Sequence, residues 1–315
     1  MSRKPVIGKC RLCGETKKLT FEHVPPETTF NNYSVHILSG EQVINQVADP
    51  NILPWDFSDA KGKIQQRGRG GYYLCGDCNS KTGQWYVPEY SKFIHIVHSA
   101  LQEVKGKEFG AIGIKMKGIK PLPIFKQIMT LFCDINEGMM GDHSLKDYLL
   151  DRTSTVFNRQ RYHLYMHIHS GSVERMNGIM VQFTGGVGLI TLSEISMYPV
   201  GFTLYIDKPD VYKPEGVEIT LFSEFNYDDE GEIEITAVVV FFNSLICVNG
   251  KDNSSIPISR GSGEMDVFTI AFANFNNPIG ITLDGQPASI PCSRECRDIF
   301  GSDFKKDTVR NKIGI

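Results

Sequence analysis

Two pairs of closely spaced cysteines carry the clearest chemical signal in this chain of 315 residues. Cys10 and Cys13 form one Cys-x-x-Cys pair, and Cys75 and Cys78 form a second. A Cys-x-x-Cys turn aims two thiolates at one point, so two such turns supply the four sulfur ligands of a tetrahedral structural zinc ion. A zinc ion with four sulfur ligands has no open position and takes no direct part in catalysis.

Two other interpretations of these thiols stay open at this point. Four buried or redox-active cysteines are one, although both pairs have the spacing of metal ligands. A disulfide framework is the other, and it is disfavoured because the N-terminal residues Met-Ser-Arg-Lys-Pro lack an apolar signal core. We therefore expect a cytoplasmic, reducing compartment, which suits thiolate ligation.

A Glu-His pair lies between the two cysteine pairs, and an Asn follows the second pair. The run Glu22-His23-Val-Pro-Pro ends a short predicted strand, and Asn79 comes directly after Cys78. Cys-x-x-Cys, then Glu-His-x-x-Pro, then Leu-Cys-x-x-Cys-Asn together resemble the HNH endonucleases, in the zinc-stabilised branch of the ββα-metal nucleases. The resemblance covers about residues 8–90 and says nothing about the rest of the chain.

The resemblance implies a role for each of these residues. His23 matches the histidine that activates a water molecule to attack a phosphodiester bond. Glu22 and Asn79 match the ligands of a catalytic divalent ion, and their oxygen donors suit magnesium or manganese. The last histidine of the family pattern is replaced here by Asn79. The middle Asn, which orients the general base, has two candidates, Asn45 and Asn51.

Each of these residues also has an ordinary structural interpretation. A histidine after a strand is more often a structural residue than a general base. Glu22 is equally compatible with a surface carboxylate. Asn79 is a good N-cap residue for the helix that follows the second cysteine pair.

Charge is distributed unevenly along a globular, 22% charged sequence. The net charge is −3 overall, but residues 1–120 carry +6 and residues 121–315 carry −9. The positive part coincides with the part that meets phosphate in the resemblance, so we expect nucleic acid, with DNA favoured, as the partner. No run approaches about 20 apolar residues, so no membrane partner is expected.

Two strands and a polar insertion organise the first hundred residues. The predicted strands lie around Lys18–Phe21 and Tyr72–Leu74, and residues 27–70 form the insertion. Val35 and Ile37 with Val43, Ile44 and Val47 suggest a hairpin. The insertion ends in a glycine-rich segment whose arginines could contact phosphates, so the expected nucleic-acid contacts are Arg67, Arg69 and Lys81. An ordinary solvated loop explains that segment equally well.

Helices are predicted next, followed by a strand-rich half. A helix starts near Cys78 and is interrupted at Gly83, and a second one covers 88–104. Residues 105–120 suggest a linker or short hairpin, and helices follow at 124–135 and 143–151. Period-two alternation begins at Tyr162. The predicted strands cover 162–168, 178–184, 187–192, 200–207, 216–225, 232–242 and 244–249, and a last helix begins near Ser293.

Three histidines share a face of the first predicted strand of this second half. His163, His167 and His169 could bind a metal ion, but a polar strand face is the favoured interpretation. Cys292 and Cys296 lie one helical turn apart and are interpreted as core or reactive thiols. An enzyme whose chemistry lies in this half, with purely structural zinc knuckles, remains an alternative.

These patterns predict an α+β fold in three parts. A zinc-stabilised ββα-metal domain covers 1–104, a helical connector covers 105–158 and an antiparallel β-rich domain covers 159–315. We expect a metal-dependent HNH endonuclease, and the resemblance suggests a bacterial anti-phage defence effector. The β-rich part would serve regulation, homo-oligomerisation or an activating partner. The main alternative is a catalytically inactive, zinc-stabilised nucleic-acid-binding or adaptor protein.

Overall fold

A computed structural model gives the fold for most of the chain. It describes residues 4–37, 63–66, 68–104, 111–169, 174–184, 187–214 and 216–238, together with 281–283 and 286–288. Within these ranges the protein is mixed α and β, with antiparallel sheets and four α-helices. The general fold class is therefore confirmed, whereas the three-part division of the chain stays a prediction. No helix of the described part is long and apolar enough to cross a bilayer.

The cysteine-rich segment folds as a small sheet followed by a helix. Strands β1 (Ile7–Lys9), β2 (Thr16–His23) and β5 (Gly70–Cys75) form one antiparallel sheet in the order β1-β2-β5. Helix α1 (Gly76–Trp85) follows β5 directly. Both predicted strands of this segment are therefore present, and β2 and β5 place the ends of the long insertion side by side.

The insertion contributes a short two-stranded ladder. Strand β3 (Val35–Ile37) pairs with β4 (Lys63–Gln65), and a short 3-10 helix covers Glu27–Thr29. The predicted hairpin partner around Val43 to Val47 lies outside the described residues. Within the described part, β3 instead meets a segment close to the end of the insertion.

Three further helices confirm the helical periodicities of the sequence. They are α2 (Val87–Glu103), α3 (Pro121–Ile135) and α4 (His143–Leu150). Proline in the first turn of α2 and of α3 suits a helix start, because the N–H that proline lacks has no intrahelical partner there. The predicted interruption at Gly83 is wrong, since α1 continues to Trp85. The hydrogen-bonded turns on both sides keep Gly83 helical despite its low propensity.

The predicted linker or short hairpin at 105–120 is also wrong for its second part. Residues 111–119 form strand β6 (Ala111–Ile119), which pairs with β12 (Gly231–Val238) far along the chain. Ile112, Ile114 and Met116 alternate on its buried side. The glycines and lysines of this segment suggested a linker. Its apolar residues alternate with a period of two, however, and with a partner strand present they stabilise a strand.

A five-stranded antiparallel sheet makes up most of the strand-rich half. Its order is β11-β7-β10-β9-β8. The strands are β7 (Tyr162–Ile168), β8 (Arg175–Thr184), β9 (Gly188–Met197), β10 (Val200–Ile206) and β11 (Val217–Glu218).

Not every predicted strand of this half has its predicted extent. The predicted strand 216–225 is too long, because a 3-10 helix takes over at Thr220–Glu224. Strands β13 (Ile281–Leu283) and β14 (Gln286–Ala288) pair with each other. The predicted strand 244–249 and the predicted helix from Ser293, with Cys292 and Cys296, lie outside the described residues.

Helix α3 lies at the centre of the hydrophobic core. Fourteen of its fifteen residues are buried, and one continuous apolar cluster runs from Cys10 past α3 to Ile235. The cluster includes residues of β2, α2, α3, β7 and β10. Helix α3 therefore packs against both the cysteine-rich sheet and the strand-rich half.

The buried side chain of Lys126 ties α3 to the end of α4. Its ammonium donates to the carbonyl oxygens of Tyr148, at 2.9 Å, and Asp151, at 2.6 Å, and lies 4.1 Å from the centre of the Tyr148 ring. Burial lowers the pKa of Lys126 to about 7, and the Asp151 carboxylate opposes that shift only in part. A lysine in this position satisfies carbonyls that the end of a helix leaves without an N–H partner.

The depressed pKa of Lys126 predicts a pH dependence of stability. Between about pH 7 and pH 10 the unfolded chain binds a proton at Lys126 that the folded chain does not. The contribution of Lys126 to the free energy of unfolding therefore rises with pH. In this window the free energy of unfolding of the wild type should increase, relative to that of Lys126→Met, by up to ~1 kcal/mol per pH unit. Urea unfolding of both proteins from pH 7 to pH 10 measures this difference.

The matched control for this prediction is Lys92→Met, which changes an exposed lysine on α2. Its difference from the wild type should not vary with pH. Parallel stability curves for the wild type and Lys126→Met would show that Lys126 keeps its charge in the folded protein.

Candidate metal and active site

The four predicted zinc ligands meet in one cluster. Their sulfur atoms all lie within 4.8 Å of one another, and the Sγ atoms of Cys13 and Cys75 are 3.9 Å apart. Cys10 and Cys13 come from the turn after β1, Cys75 ends β5 and Cys78 lies in the first turn of α1. The backbone of Gly14 at φ +78° closes the first turn, and its N–H donates to the carbonyl of Cys10 at 2.9 Å.

The geometry and charge state of these thiols fit a metal ion. Tetrahedral zinc with Zn–S bonds of about 2.3 Å requires sulfur atoms about 3.8 Å apart. A hydrogen bond from the Cys78 thiol, helped by the Cys75 N–H at 3.3 Å, lowers the pKa of Cys10 to about 4. The negative Cys10 sulfur in turn raises the pKa of Cys78. The Cys10 thiol therefore ionises readily to a thiolate, and the cluster could hold a metal ion such as zinc.

Glu22 and His23 are the last two residues of β2. Glu22 pairs with Gly71 and His23 with Gly70 of β5. Consecutive strand residues point to opposite faces, so the carboxylate and the imidazole lie on the two sides of the strand end. The His23 ring packs edge-on against Phe21, with ring centres 5.1 Å apart.

Helix α1 places Asn79 against β2. The register of β2 against β5 shifts between Thr20 and Phe21, just before Glu22. The Asn79 amide donates from Nδ2 to Thr20 Oγ1 at 3.1 Å. Because the nitrogen of the Asn79 amide is used in this way, its oxygen is the atom available to a metal ion.

The carboxyl group of Glu22 meets a second carboxyl group, that of Asp134 on α3. The two groups lie within hydrogen-bonding distance, and burial raises the pKa of Glu22 to about 8. Burial, and then the negative charge of Glu22, raises the pKa of Asp134 well above its ordinary value. Asp134 is fully buried. No residue pattern singles out Asp134, because it lies in an apolar helix more than a hundred residues from Glu22.

Asn31 is a second residue that the sequence analysis missed. Its Nδ2 donates to the carbonyls of Pro25, at 2.6 Å, and Arg69, at 2.8 Å, and its Oδ1 accepts from the Arg69 N–H at 2.6 Å. Fully buried, it fastens the chain after β2 to the chain before β5. Asn45 and Asn51, the predicted candidates for orienting the general base, lie outside the described residues. Asn31 thus links the segment just after His23 to the residue just before Gly70.

The predicted nucleic-acid contacts fall in different environments. Lys81 is exposed on α1. Arg69 is only 5% exposed, with Nη1 3.9 Å from Glu174 Oε2, so its guanidinium faces the interior. Arg67 lies outside the described residues. Only Lys81 of the three is thus observed at the surface.

Comparison with known proteins adds no name to this arrangement. No protein-family model, curated protein or solved structure matches the chain.

The three histidines considered as a second site lie at the five-stranded sheet. His163 Nδ1 is 3.1 Å from Glu218 Oε1, a carboxylate that β11 brings beside β7. His167 and His169 are buried, and each contacts Ser196 Oγ, at 3.1 Å and 2.9 Å respectively. Among the described residues, the four-cysteine cluster is the one group of three or more metal-binding side chains.

Proposed function

We propose that this protein is a metal-dependent endonuclease that hydrolyses phosphodiester bonds in nucleic acid, with DNA as the favoured substrate. The observation that supports it most is the arrangement around the end of β2. Glu22 and His23 end β2 opposite Gly71 and Gly70 of β5, and Asn79 of the helix that follows β5 contacts Thr20 of the same strand. The HNH resemblance assigns these three residues to one site.

Each side chain has one task in the proposed reaction. His23 takes the proton from the water molecule that attacks the phosphorus. Glu22 and the Asn79 oxygen hold a magnesium or manganese ion. Such an ion, when bound, neutralises the scissile phosphate and stabilises the leaving oxygen. Asn31 keeps the backbone around His23 in place through its bonds to Pro25 and Arg69.

The zinc ion has a structural task in this proposal. Four thiolates fill its coordination sphere, and they join the turn after β1 to the start of α1. The zinc thereby fixes α1, and with it Asn79, against β2. A reducing, cytoplasmic location belongs to the same proposal, because oxidation of the thiolates would release the metal.

Contacts outside the strand end complete the proposal. Lys81, exposed one turn along α1 from Cys78, binds the substrate backbone. The acidic second half of the chain serves a homo-oligomer or an activating partner instead of binding nucleic acid.

A specific observation favours a second candidate, a catalytically inactive nucleic-acid-binding or adaptor protein. The Glu22 carboxyl lies against Asp134, and the Asn79 amide is bonded to Thr20. A protein that used these residues only for packing would need zinc but no magnesium or manganese. Divalent-ion dependence therefore separates the two candidates.

The test compares the wild type with His23→Ala and with the matched control His143→Ala, which changes an exposed histidine. Each zinc-loaded protein is incubated with supercoiled plasmid, linear duplex, single-stranded DNA and RNA, with and without magnesium or manganese. We expect ion-dependent cleavage that falls roughly 10²- to 10⁴-fold in His23→Ala, the size of a general-base contribution. His143→Ala should cleave as the wild type does.

Two results would contradict this proposal. Equal cleavage by the wild type and a folded His23→Ala protein would remove His23 from the mechanism. Binding of nucleic acid without cleavage under any of these conditions would favour the binding protein.

A further inference from the structure

The contact between Glu22 and Asp134 leaves buried carboxyl oxygens without a donor from any other residue. Both oxygens of Asp134 and Oε2 of Glu22 are covered from solvent, and apart from the contact between the two carboxyl groups they have no hydrogen-bond partner among the described residues. Asp134 has an exposed fraction of 0%. An unpaired buried carboxylate costs several kcal/mol, so natural proteins pair such groups or use them to coordinate a metal ion.

The cationic side chains nearby do not pair with these buried carboxyl oxygens. Arg11 stacks over the Tyr73 ring, 4.6 Å from its centre, and its Nη1 donates to the main-chain oxygen of Asp134. The Arg69 guanidinium is directed to Glu174. Both arginines therefore surround the acid pair, but neither is hydrogen-bonded to its carboxylate oxygens.

The soft metal cluster and the acid pair are distinct sites. Four thiolates select a soft or borderline ion such as zinc, whereas carboxylate oxygens select magnesium or manganese. The acid pair therefore suits a hard cation.

We propose that Asp134 of α3 is a ligand of the divalent ion held by Glu22. Two carboxylates from two separate elements then form the protein part of the site. This inference rests on the proposed function for the identity of the ion. It places a metal ligand outside the segment of about residues 8–90 that resembles the HNH endonucleases.

A consequence of this assignment is that the site depends on the packing of α3. Helix α3 is buried almost completely and contacts β5, α1 and α2 as well as β8 and β9. A ligand on α3 makes the strand-rich half necessary for a complete site, because the sheet supports the helix that carries Asp134. The cysteine-rich segment alone would then hold its ion more weakly.

The experiment measures manganese binding directly, without substrate. The full chain is loaded with zinc, stripped of weakly bound ions and titrated with Mn²⁺, with free Mn²⁺ followed by electron paramagnetic resonance. The isosteric variants Asp134→Asn and Glu22→Gln are compared with Asp147→Asn, which changes an exposed carboxylate on α4. Zinc content and the thermal midpoint are recorded for each protein.

We expect one Mn²⁺ site in the wild type and in Asp147→Asn. Affinity should fall at least 10-fold in both Asp134→Asn and Glu22→Gln, while zinc content stays the same. Without manganese, Asp134→Asn and Glu22→Gln should melt no lower than the wild type, because each replaces a buried carboxyl group by a neutral amide of the same shape. Added manganese should raise the midpoint of the wild type and of Asp147→Asn, but not of Asp134→Asn or Glu22→Gln.

The outcomes separate this inference from the proposed function. Unchanged Mn²⁺ affinity in a folded Asp134→Asn protein would overturn the assignment, even if the wild type cleaves nucleic acid. Binding that requires Asp134 in a protein that cleaves nothing would support the assignment and reject the nuclease. If Asp134→Asn does not fold, Glu22→Gln decides: a wild-type affinity for Mn²⁺ in that variant would overturn the shared site.

Discussion

Cys10→Ser is expected to lower the zinc content from one ion per chain to near zero and to remove the cooperative unfolding transition of the cysteine-rich sheet. Cys10 is fully buried at the centre of the cluster, and its sulfur is the one most readily ionised. Structural zinc contributes roughly 10 kcal/mol in small zinc modules. The short strands β1 and β2 and the ten-residue helix α1 bury too little apolar surface to replace that contribution.

The control is Cys133→Ala, which removes a buried thiol of α3 that is not in the cluster. It should keep the full zinc content and lose about 1–2 kcal/mol through the small cavity it leaves. Metal analysis by mass spectrometry and chemical unfolding measure both variants. A Cys10→Ser protein with full zinc content and wild-type stability would mean that the four thiols do not hold a structural metal.

Gly68→Ala is expected to be the most damaging small substitution among the described glycines. Gly68 has φ +77°, and its N–H donates to the carbonyl of Tyr33 at 2.7 Å. A Cβ atom there would overlap the main-chain and side-chain oxygens of Asn31 and lie 2.7 Å from its carbonyl carbon. The overlap displaces Asn31 and breaks its three hydrogen bonds, so we expect a loss of roughly 3 kcal/mol or more.

Gly83→Ala is the matched control for that substitution. A Cβ at Gly83 meets nothing within 4 Å, and the residue lies inside α1. Alanine should therefore stabilise the protein by roughly 0.5–1 kcal/mol through its higher helix propensity. Urea unfolding gives both values, and hydrogen exchange at Val24, whose N–H donates to the Arg69 carbonyl, reports the local effect. A Gly68→Ala protein as stable as Gly83→Ala would contradict the role given to Asn31.

The four-cysteine cluster and the strand ends were accessible to sequence analysis because they are local. Cys-x-x-Cys spacing fixes two ligands in one turn, and β2 and β5 are marked by their flanking knuckles. The site that Glu22, His23 and Asn79 would form stays a prediction. Their detailed partners were not accessible, since Asn79 bonds to Thr20 and Glu22 meets Asp134 through tertiary packing.

Residues that act through distant contacts left no signal in the sequence. Asn31 stands in a turn where asparagine is common, so its three bonds to Pro25 and Arg69 could not be inferred from residue type. Arg69 looked like a surface contact in a glycine-rich loop, yet packing buries it. The glycines and lysines of β6 obscured its strand pattern, and its partner strand β12 lies far along the chain.

The pairing of β6 with β12 also shapes how this protein is made on the ribosome. Roughly a hundred residues separate the two strands along the chain. At synthesis rates of ~5–20 residues per second, β6 leaves the ribosome roughly 5–20 seconds before its partner. Its backbone edge, which β12 occupies in the folded protein, lacks its partner during that interval and is open to wrong pairing. We therefore expect nascent chains halted between β6 and β12 to be more prone to aggregation than the complete chain.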